Sequence, residues 1–103
     1  PIQRRNSQEE TVLLYQQGHS LEQIMQIRQL AKSTILTHLT EAIQQGADLD
    51  LSPLVTLEKQ SAIRAAIAEA GADRLNPIKE KLPPDFTYDE IRLVAAYYRR
   101  SVT

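Results

Sequence analysis

Three capping boxes constrain this chain to a fold made of short helices. In a capping box, a Ser or Thr hydroxyl accepts a free backbone N–H at a helix N-terminus, and a Glu or Gln three residues later bonds back to the cap. The pattern occurs at Ser7–Glu10, Ser20–Gln23 and Thr87–Glu90. Each box precedes or opens a segment with apolar residues at helical spacing, so the sequence predicts helices that begin at these positions.

An aliphatic stripe marks the third predicted helix, over residues 33–45, which stops before Gly46. Its apolar residues are spaced i, i+4, i+7 and i+8, which places them on one side of a helix. They are Ile35, Leu39, Ala42 and Ile43. At about 100° per residue, the other side is polar, and His38 lies at the boundary. The polar residues are Ser33, Thr34, Thr37, Glu41 and Gln44.

The remaining segments complete an all-α prediction with about six helices. The first helix starts at Ser7 and ends at Gly18, and the second buries Leu21, Ile24 and either Ile27 or the stem of Arg28. A fourth helix covers 57–70, and a short fifth helix is capped by Asn76. The last helix runs to about Arg100, and its predicted buried residues are Tyr88, Ile91, Ala95 and Tyr98.

The predicted domain organisation is a single helical domain, 1–103, in two lobes. A three-helix lobe covers 7–46 and a smaller helical lobe covers 54–103. Between them, residues 47–51 alternate apolar and polar side chains, which is typical of a short strand or of an extended link. Because the sequence begins at Pro1 without a Met, we also expect it to be a fragment of a longer protein.

Composition excludes several classes of function. The chain has no Cys, so disulfides and thiolate metal sites are impossible. His19 and His38 lie on different elements without ligand spacing, so no metal site is expected. No phosphate-binding loop or nucleophile–base motif is present, which predicts a non-enzymatic domain without a cofactor. No apolar run approaches the roughly 20 residues that a membrane span needs, so no membrane partner is expected. We expect a cytoplasmic location.

The first lobe has the pattern of a helix-turn-helix unit. Two short helices are joined by about four residues, and the second of them is amphipathic. Such a helix can present short polar side chains to the DNA major groove while its N-terminus attracts phosphate. The residues predicted to contact DNA are Arg28, Lys32, Ser33, Thr34, Thr37 and His38.

The charge balance keeps a different interpretation open. The net charge is −1, whereas DNA-binding domains usually have a basic excess, and Glu41 lies on the predicted contact side. An ordinary helical corner with a solvated polar side would give the same pattern. Arg92, Arg99 and Arg100 are candidate secondary phosphate contacts, or they are a solvated helix end favoured by the helix dipole.

Three segments are distinctive together in their order and spacing: ETVLLYQQGHSLEQIMQIRQLAKSTILTHLTEAIQQG, DLDLSPLV and LNPIKEKLPPDFTYDEIRLVAAYY. Together they resemble the helix-turn-helix domain at the C-terminus of RecQ-type DNA helicases, and the resemblance covers nearly the whole chain from about Ser7 to Tyr97. The pieces that carry the resemblance are Gly18–Ile24, Arg28–Leu30, Ser33–Leu39, Leu75–Pro83 and Tyr88–Leu93. The family's corner often has Gly where this chain has Gln29, and a bulky residue there predicts a different turn.

The resemblance implies an accessory domain of an ATP-dependent DNA helicase that acts in repair and recombination. The partners would be DNA, as a duplex or junction bound weakly by the domain alone, and the helicase motor in the same chain, associated with the bacterial nucleoid. The rival prediction is a protein-interaction or dimerisation module, which a neutral surface favours. An independent transcription regulator is a third, weaker alternative, because the length leaves no room for an effector domain.

Overall fold

The computed structural model describes residues 7–101, with side chains for residues 7–99. Over this part of the chain the fold consists of α-helices without a strand, which confirms the all-α prediction. The helices are α1 (Ser7–Gln16), α2 (Leu21–Arg28), α3 (Lys32–Gln44), α4 (Leu57–Ala70), α5 (Leu75–Glu80) and α6 (Tyr88–Ser101). None of those helices combines the length and apolar character that crossing a bilayer requires.

The chain divides into two compact units between Leu49 and Asp50. This boundary lies inside the segment that alternates apolar and polar residues. Residues 47–51 form no strand, which corrects one of the two sequence-based alternatives. The alternation survives as a burial pattern, because Leu49 and Leu51 are buried whereas Asp48 and Asp50 are exposed.

Unit 1 is a bundle in which α1, α2 and α3 each pack against the other two. The centre of its core is formed by side chains that are fully removed from water. They come from α1 (Thr11), from α2 (Ile24) and from α3 (Ile35, Leu39 and Ile43). Burying each of these aliphatic side chains contributes roughly 1.5–3 kcal/mol relative to leaving it exposed. The stripe predicted for α3 is therefore the part of the sequence that holds the three helices together.

Two of the three predicted capping boxes form as expected. Ser20 Oγ accepts from the Gln23 N–H at 3.2 Å, and Gln23 bonds back to the Ser20 N–H at 2.9 Å. Thr87 and Glu90 make the same pair of bonds at 3.2 and 2.9 Å at the start of α6. Ser7 differs, because it is already the first helical residue of α1 and its hydroxyl accepts from Arg28 instead.

Unit 2 packs α4, α5 and α6 together around Ile63, Ile78 and Ile91. Leu93 to Ala96 are four consecutive buried positions, which cover most of the circumference of α6. The helix α6 is therefore the central element of the unit. Lys59 on α4 is fixed to it, because its ammonium contacts both carboxylate oxygens of Glu90 at 3.2 Å.

Three sequence-based assignments in unit 2 were wrong. Asn76 is the second residue of α5 and its N-cap is Arg74, so Asn76 does not cap the helix. Its Oδ1 instead accepts from the Tyr88 hydroxyl at 2.8 Å. Tyr88, predicted as buried, is 44% exposed, and the first turn of α6 thus leaves an aromatic ring at the surface. Tyr98, also predicted as buried, is only half-buried.

Candidate nucleic-acid interface

The polar side of α3 is open to solvent within unit 1. Ser33 and Thr37 are exposed and Thr34 is half-buried, whereas Ile35 and Leu39 are completely buried on the other side. This distribution follows from the helical period of the sequence, which separates hydroxyl-bearing from aliphatic residues. The helix therefore presents a row of short polar side chains that a partner can reach. Further along the same side, Glu41 and Gln44 are also exposed.

The N-terminus of α3 lacks a side-chain cap. Its N-cap residue is Ala31, which has no side chain that can accept a hydrogen bond. The first turn of a helix has backbone N–H groups without internal acceptors and carries a partial positive charge. Lys32 is exposed there, and it has no ion-pair partner among residues 7–99. This end of α3 can therefore accept an anion from outside.

Gln29 forms the corner between α2 and α3 in the left-handed conformation, with φ 56° and ψ 44°. It is the one non-glycine residue with positive φ in the described part of the chain. Its N–H bonds to the Met25 carbonyl, and the next N–H, from Leu30, bonds to the same oxygen at 3.3 Å. Although its side chain is bulky, Gln29 adopts the left-handed conformation that favours glycine.

A local bond helps Gln29 to hold this conformation. Its side-chain Nε2 donates to the Gln26 carbonyl at 2.7 Å, which satisfies a free carbonyl of the last turn of α2. The left-handed turn between α2 and α3 thus forms without a glycine. Lys32 and Ser33 follow it closely in the chain, so the position of the contact candidates depends on this residue.

Arg28, a predicted DNA contact, is already engaged by α1. Its guanidinium pairs with Glu10 and donates to Ser7 Oγ at 2.6 Å and to the Ser7 carbonyl at 3.1 Å. The Arg28 side chain is only 17% exposed, and its Nε is buried without a hydrogen-bond partner. A phosphate would have to compete with Glu10 for this group. The structure thus gives Arg28 a positioning role, holding α2 against α1.

His38 lies half-buried at the edge of the polar side of α3, where the sequence predicted it. Its Nδ1 is 2.9 Å from the hydroxyl of Thr11, which is completely buried on α1. When Nδ1 accepts this bond, the neutral ring carries its proton on Nε2. His38 then joins the α1–α3 contact and retains one ring donor for a partner.

Thr37, in the middle of the polar side, is not a free hydroxyl. Its Oγ1 donates to the Ser33 carbonyl oxygen one turn earlier, at 2.9 Å. Ser33 and Thr34 make no side-chain hydrogen bond with another described residue. The polar side therefore combines two uncommitted hydroxyls with one whose proton is already used.

The arginines predicted as secondary phosphate contacts have partners of their own. Arg92 lies 3.5 Å from Asp89 on the same helix. Arg99 donates to the carbonyls of Ala72 and Asp73 at 2.9 and 2.8 Å, which fixes the link between α4 and α5. The side chain of Arg100 lies outside the described residues. A phosphate contact by these three arginines stays a prediction.

Sequence reasoning missed the roles of Ser7, Glu10 and Tyr88. The first two are three residues apart on one side of α1, a spacing that also suits joint binding of an arginine. Tyr88 directly follows the cap residue Thr87, so it lies at the end of a helix where burial is less complete. Among residues 7–99, no three His, Asp or Glu side chains gather in a way that could hold a metal ion.

Comparisons with known proteins and families assign the chain to one family. No curated protein matches the chain significantly. No solved structure matches it significantly either. A family described as a helix-turn-helix domain matches residues 7–95, which include α1 to α5 and more than half of α6. Because this match covers most of the sequence, the chain belongs to that helix-turn-helix domain family.

Proposed function

We propose that this domain binds DNA through the N-terminal half of α3. The observation that carries the proposal is that Lys32, Ser33 and Thr37 are exposed at and beyond an uncapped helix N-terminus, opposite the buried aliphatic stripe. In helix-turn-helix domains the second helix of the pair enters the major groove, with its N-terminal residues toward the bases. Membership of a helix-turn-helix domain family supports nucleic-acid binding in general.

Each group on this surface has a distinct task in the proposal. The free N–H groups of the first turn and the ammonium of Lys32 hold a phosphate, which fixes the position of the helix on the duplex. Ser33 and Thr34 donate to base edges or to sugar–phosphate oxygens. Thr37, whose proton is held by the Ser33 carbonyl, accepts from a base. His38 reaches the edge of the interface through Nε2. Arg28 acts indirectly, because its contacts with α1 fix the orientation of α2 and of the corner.

A finer proposal concerns the parent protein. The resemblance described above supports an accessory role in a RecQ-like DNA helicase of repair and recombination, in the cytoplasm and at the nucleoid. The domain itself would be non-catalytic and would need no cofactor. Because few cations are available for phosphates, affinity alone would be weak. A motor in the same chain would compensate, since tethering raises the effective concentration of DNA near the domain.

Protein interaction or dimerisation is the second candidate function. The net charge is −1, and Ile27 on α2 is 54% exposed. An open pocket of about 330 Å³ also lies between α1 and the end of α3, and its lining includes Val12, Leu13 and Ala42. Apolar surface of this kind is suited to protein partners or a second copy of the chain. Sedimentation of the domain, with and without candidate partners, tests this alternative.

Titration with DNA at low salt tests the first proposal. Wild type should bind a duplex or a fork, and Lys32→Glu should weaken binding by about tenfold or more, because it replaces an attraction for phosphate by a repulsion. Arg64→Glu is the matched control, since Arg64 is an exposed cation on α4 without a partner among the described residues. Equal losses in both variants would indicate a nonspecific charge effect. Absence of binding to both duplex and fork would refute the proposal.

A further inference from the structure

Tyr88 is an exposed aromatic ring whose orientation is fixed. It is 44% exposed at the start of α6, and its hydroxyl donates to Asn76 Oδ1 on α5 at 2.8 Å. The bond ties the ring to the neighbouring helix. This bond engages only the oxygen of the Asn76 amide. The NH₂ group of the same amide therefore remains available to donate to another partner. A rigid, solvent-facing ring of this kind is not needed for the core of unit 2.

Cations flank this ring on both helices. The ammonium of Lys79 lies over the Tyr88 ring, 5.9 Å from its centroid, and forms no ion pair with a described carboxylate. Arg92 follows Tyr88 by one helical turn, so the two side chains are neighbours on α6. Asp89 pairs with Arg92 at 3.5 Å, which partly neutralises it. Lys79 is therefore the cation best able to hold a phosphate.

We propose that Tyr88, Asn76 and Lys79 form a platform in unit 2 on which a base of single-stranded DNA stacks. This inference rests on the proposed function, since it adds a second DNA contact on different residues from those of α3. In the proposed complex, Lys79 moves from the ring to the adjoining phosphate, and the ring then offers its π surface to any base. The Asn76 amide donates to the base or sugar. An aromatic ring beside cations is the arrangement by which proteins bind single strands without sequence preference.

The cations beside the ring favour an anionic partner over an apolar one, and the aromatic ring favours an anionic partner with a stacking surface, which a nucleic acid has. Among the described residues of unit 2, Leu57 on α4 is the most exposed large hydrophobic residue, whereas α5 and α6 bring polar and cationic groups to Tyr88. Glu90 is occupied by Lys59 and by the Thr87 N–H, and Asp89 is paired with Arg92. The two carboxylates that follow Tyr88 in the sequence are thus already engaged, which weakens their repulsion of a phosphate.

Binding of the full 103-residue chain to a single-stranded oligothymidylate tests the platform. Tyr88→Ala should weaken binding about tenfold, in the range of one base–aromatic stack, while Tyr88→Phe should retain most of it. Lys79→Ala should lower the salt dependence of binding by about 0.7 log units per log unit of salt, the value for one phosphate on a single strand. Arg64→Ala, which removes an exposed cation on α4, is the control that should leave this slope unchanged.

Photocrosslinking locates the contact directly. An oligonucleotide with 5-iodouracil should crosslink to the peptide that contains Tyr88, and the crosslink should disappear in Tyr88→Ala. Unchanged single-strand affinity in Tyr88→Ala, or a crosslink confined to other peptides, would overturn the platform. Duplex binding by the same variants separates the two proposals, because a platform that fails leaves the Lys32-dependent duplex binding intact. Wild type that binds single strand but no duplex would instead contradict the proposal for α3.

Discussion

Replacing Gln29 by glycine should stabilise the protein. Gln29 is held at φ 56°, where the Cβ atom of an L-residue costs about 1–2 kcal/mol. The glycine variant would avoid this cost but lose about 0.5–1 kcal/mol through the greater freedom of its unfolded chain. It would also lose the bond from the Gln29 side chain to the Gln26 carbonyl, which is exposed and competes with water. The balance is a gain of about 0.5 kcal/mol.

Thermal unfolding followed by circular dichroism measures this gain. For a domain of this size it corresponds to a rise in Tm of about 2–4 °C. Gln29→Val is the opposing variant, because a β-branched side chain is a severe outlier at positive φ and should lower the Tm. DNA affinity of Gln29→Gly should stay close to wild type, since the corner keeps its shape. A lower Tm in Gln29→Gly than in wild type would refute the account of the turn.

Two further predictions concern charged groups. A double-mutant cycle with Arg28→Met and Glu10→Gln, measured by urea unfolding, should give a coupling free energy of about 1 kcal/mol. The value is limited because the Glu10 side chain is 46% exposed to water. A coupling free energy of zero would contradict the positioning role of Arg28. The backbone N–H of Ser52 and, to a smaller extent, the Ser52 hydroxyl donate to Asp50 and lower its pKa below 3.8. Ionised Asp50 therefore stabilises the folded state above pH 3.8, and this stabilisation is lost as the pH falls through the pKa of the folded state. Ser52→Ala should raise the Asp50 pKa, measured by NMR titration, and an unchanged value would exclude the hydroxyl as a cause.

The parts of the fold that sequence predicted are those that depend on near neighbours in the chain. The boxes at Ser20 and Thr87 need only residues three positions apart, and both form. The stripe on α3 needs only the helical period, and its four residues are buried. The end of α4 at Gly71 is a local signal of the same kind, since the glycine has φ 85°.

The features that the sequence could not reveal are side chains whose partners come from distant segments. Arginine is a residue type that often binds phosphate, but Arg28 is bound by Ser7 and Glu10 of α1, which lie 21 and 18 residues away in the chain. Asparagine is a common helix cap, but the side chain of Asn76 accepts a hydrogen bond from the hydroxyl of Tyr88, which lies 12 residues away in the chain. The periodicity of one helix cannot reveal which polar group a second helix brings to it.

The internal bond of Thr37 limits which bases α3 could distinguish. A hydroxyl that gives its proton to the Ser33 carbonyl can only accept from a base, and the major-groove donors are the amino groups of adenine and cytosine. Guanine presents only acceptors in the major groove, so it would be contacted by Lys32 or by the hydroxyls of Ser33 and Thr34, which precede Thr37. If α3 lies in the groove as proposed, the middle of the helix and its first turn would have different base preferences.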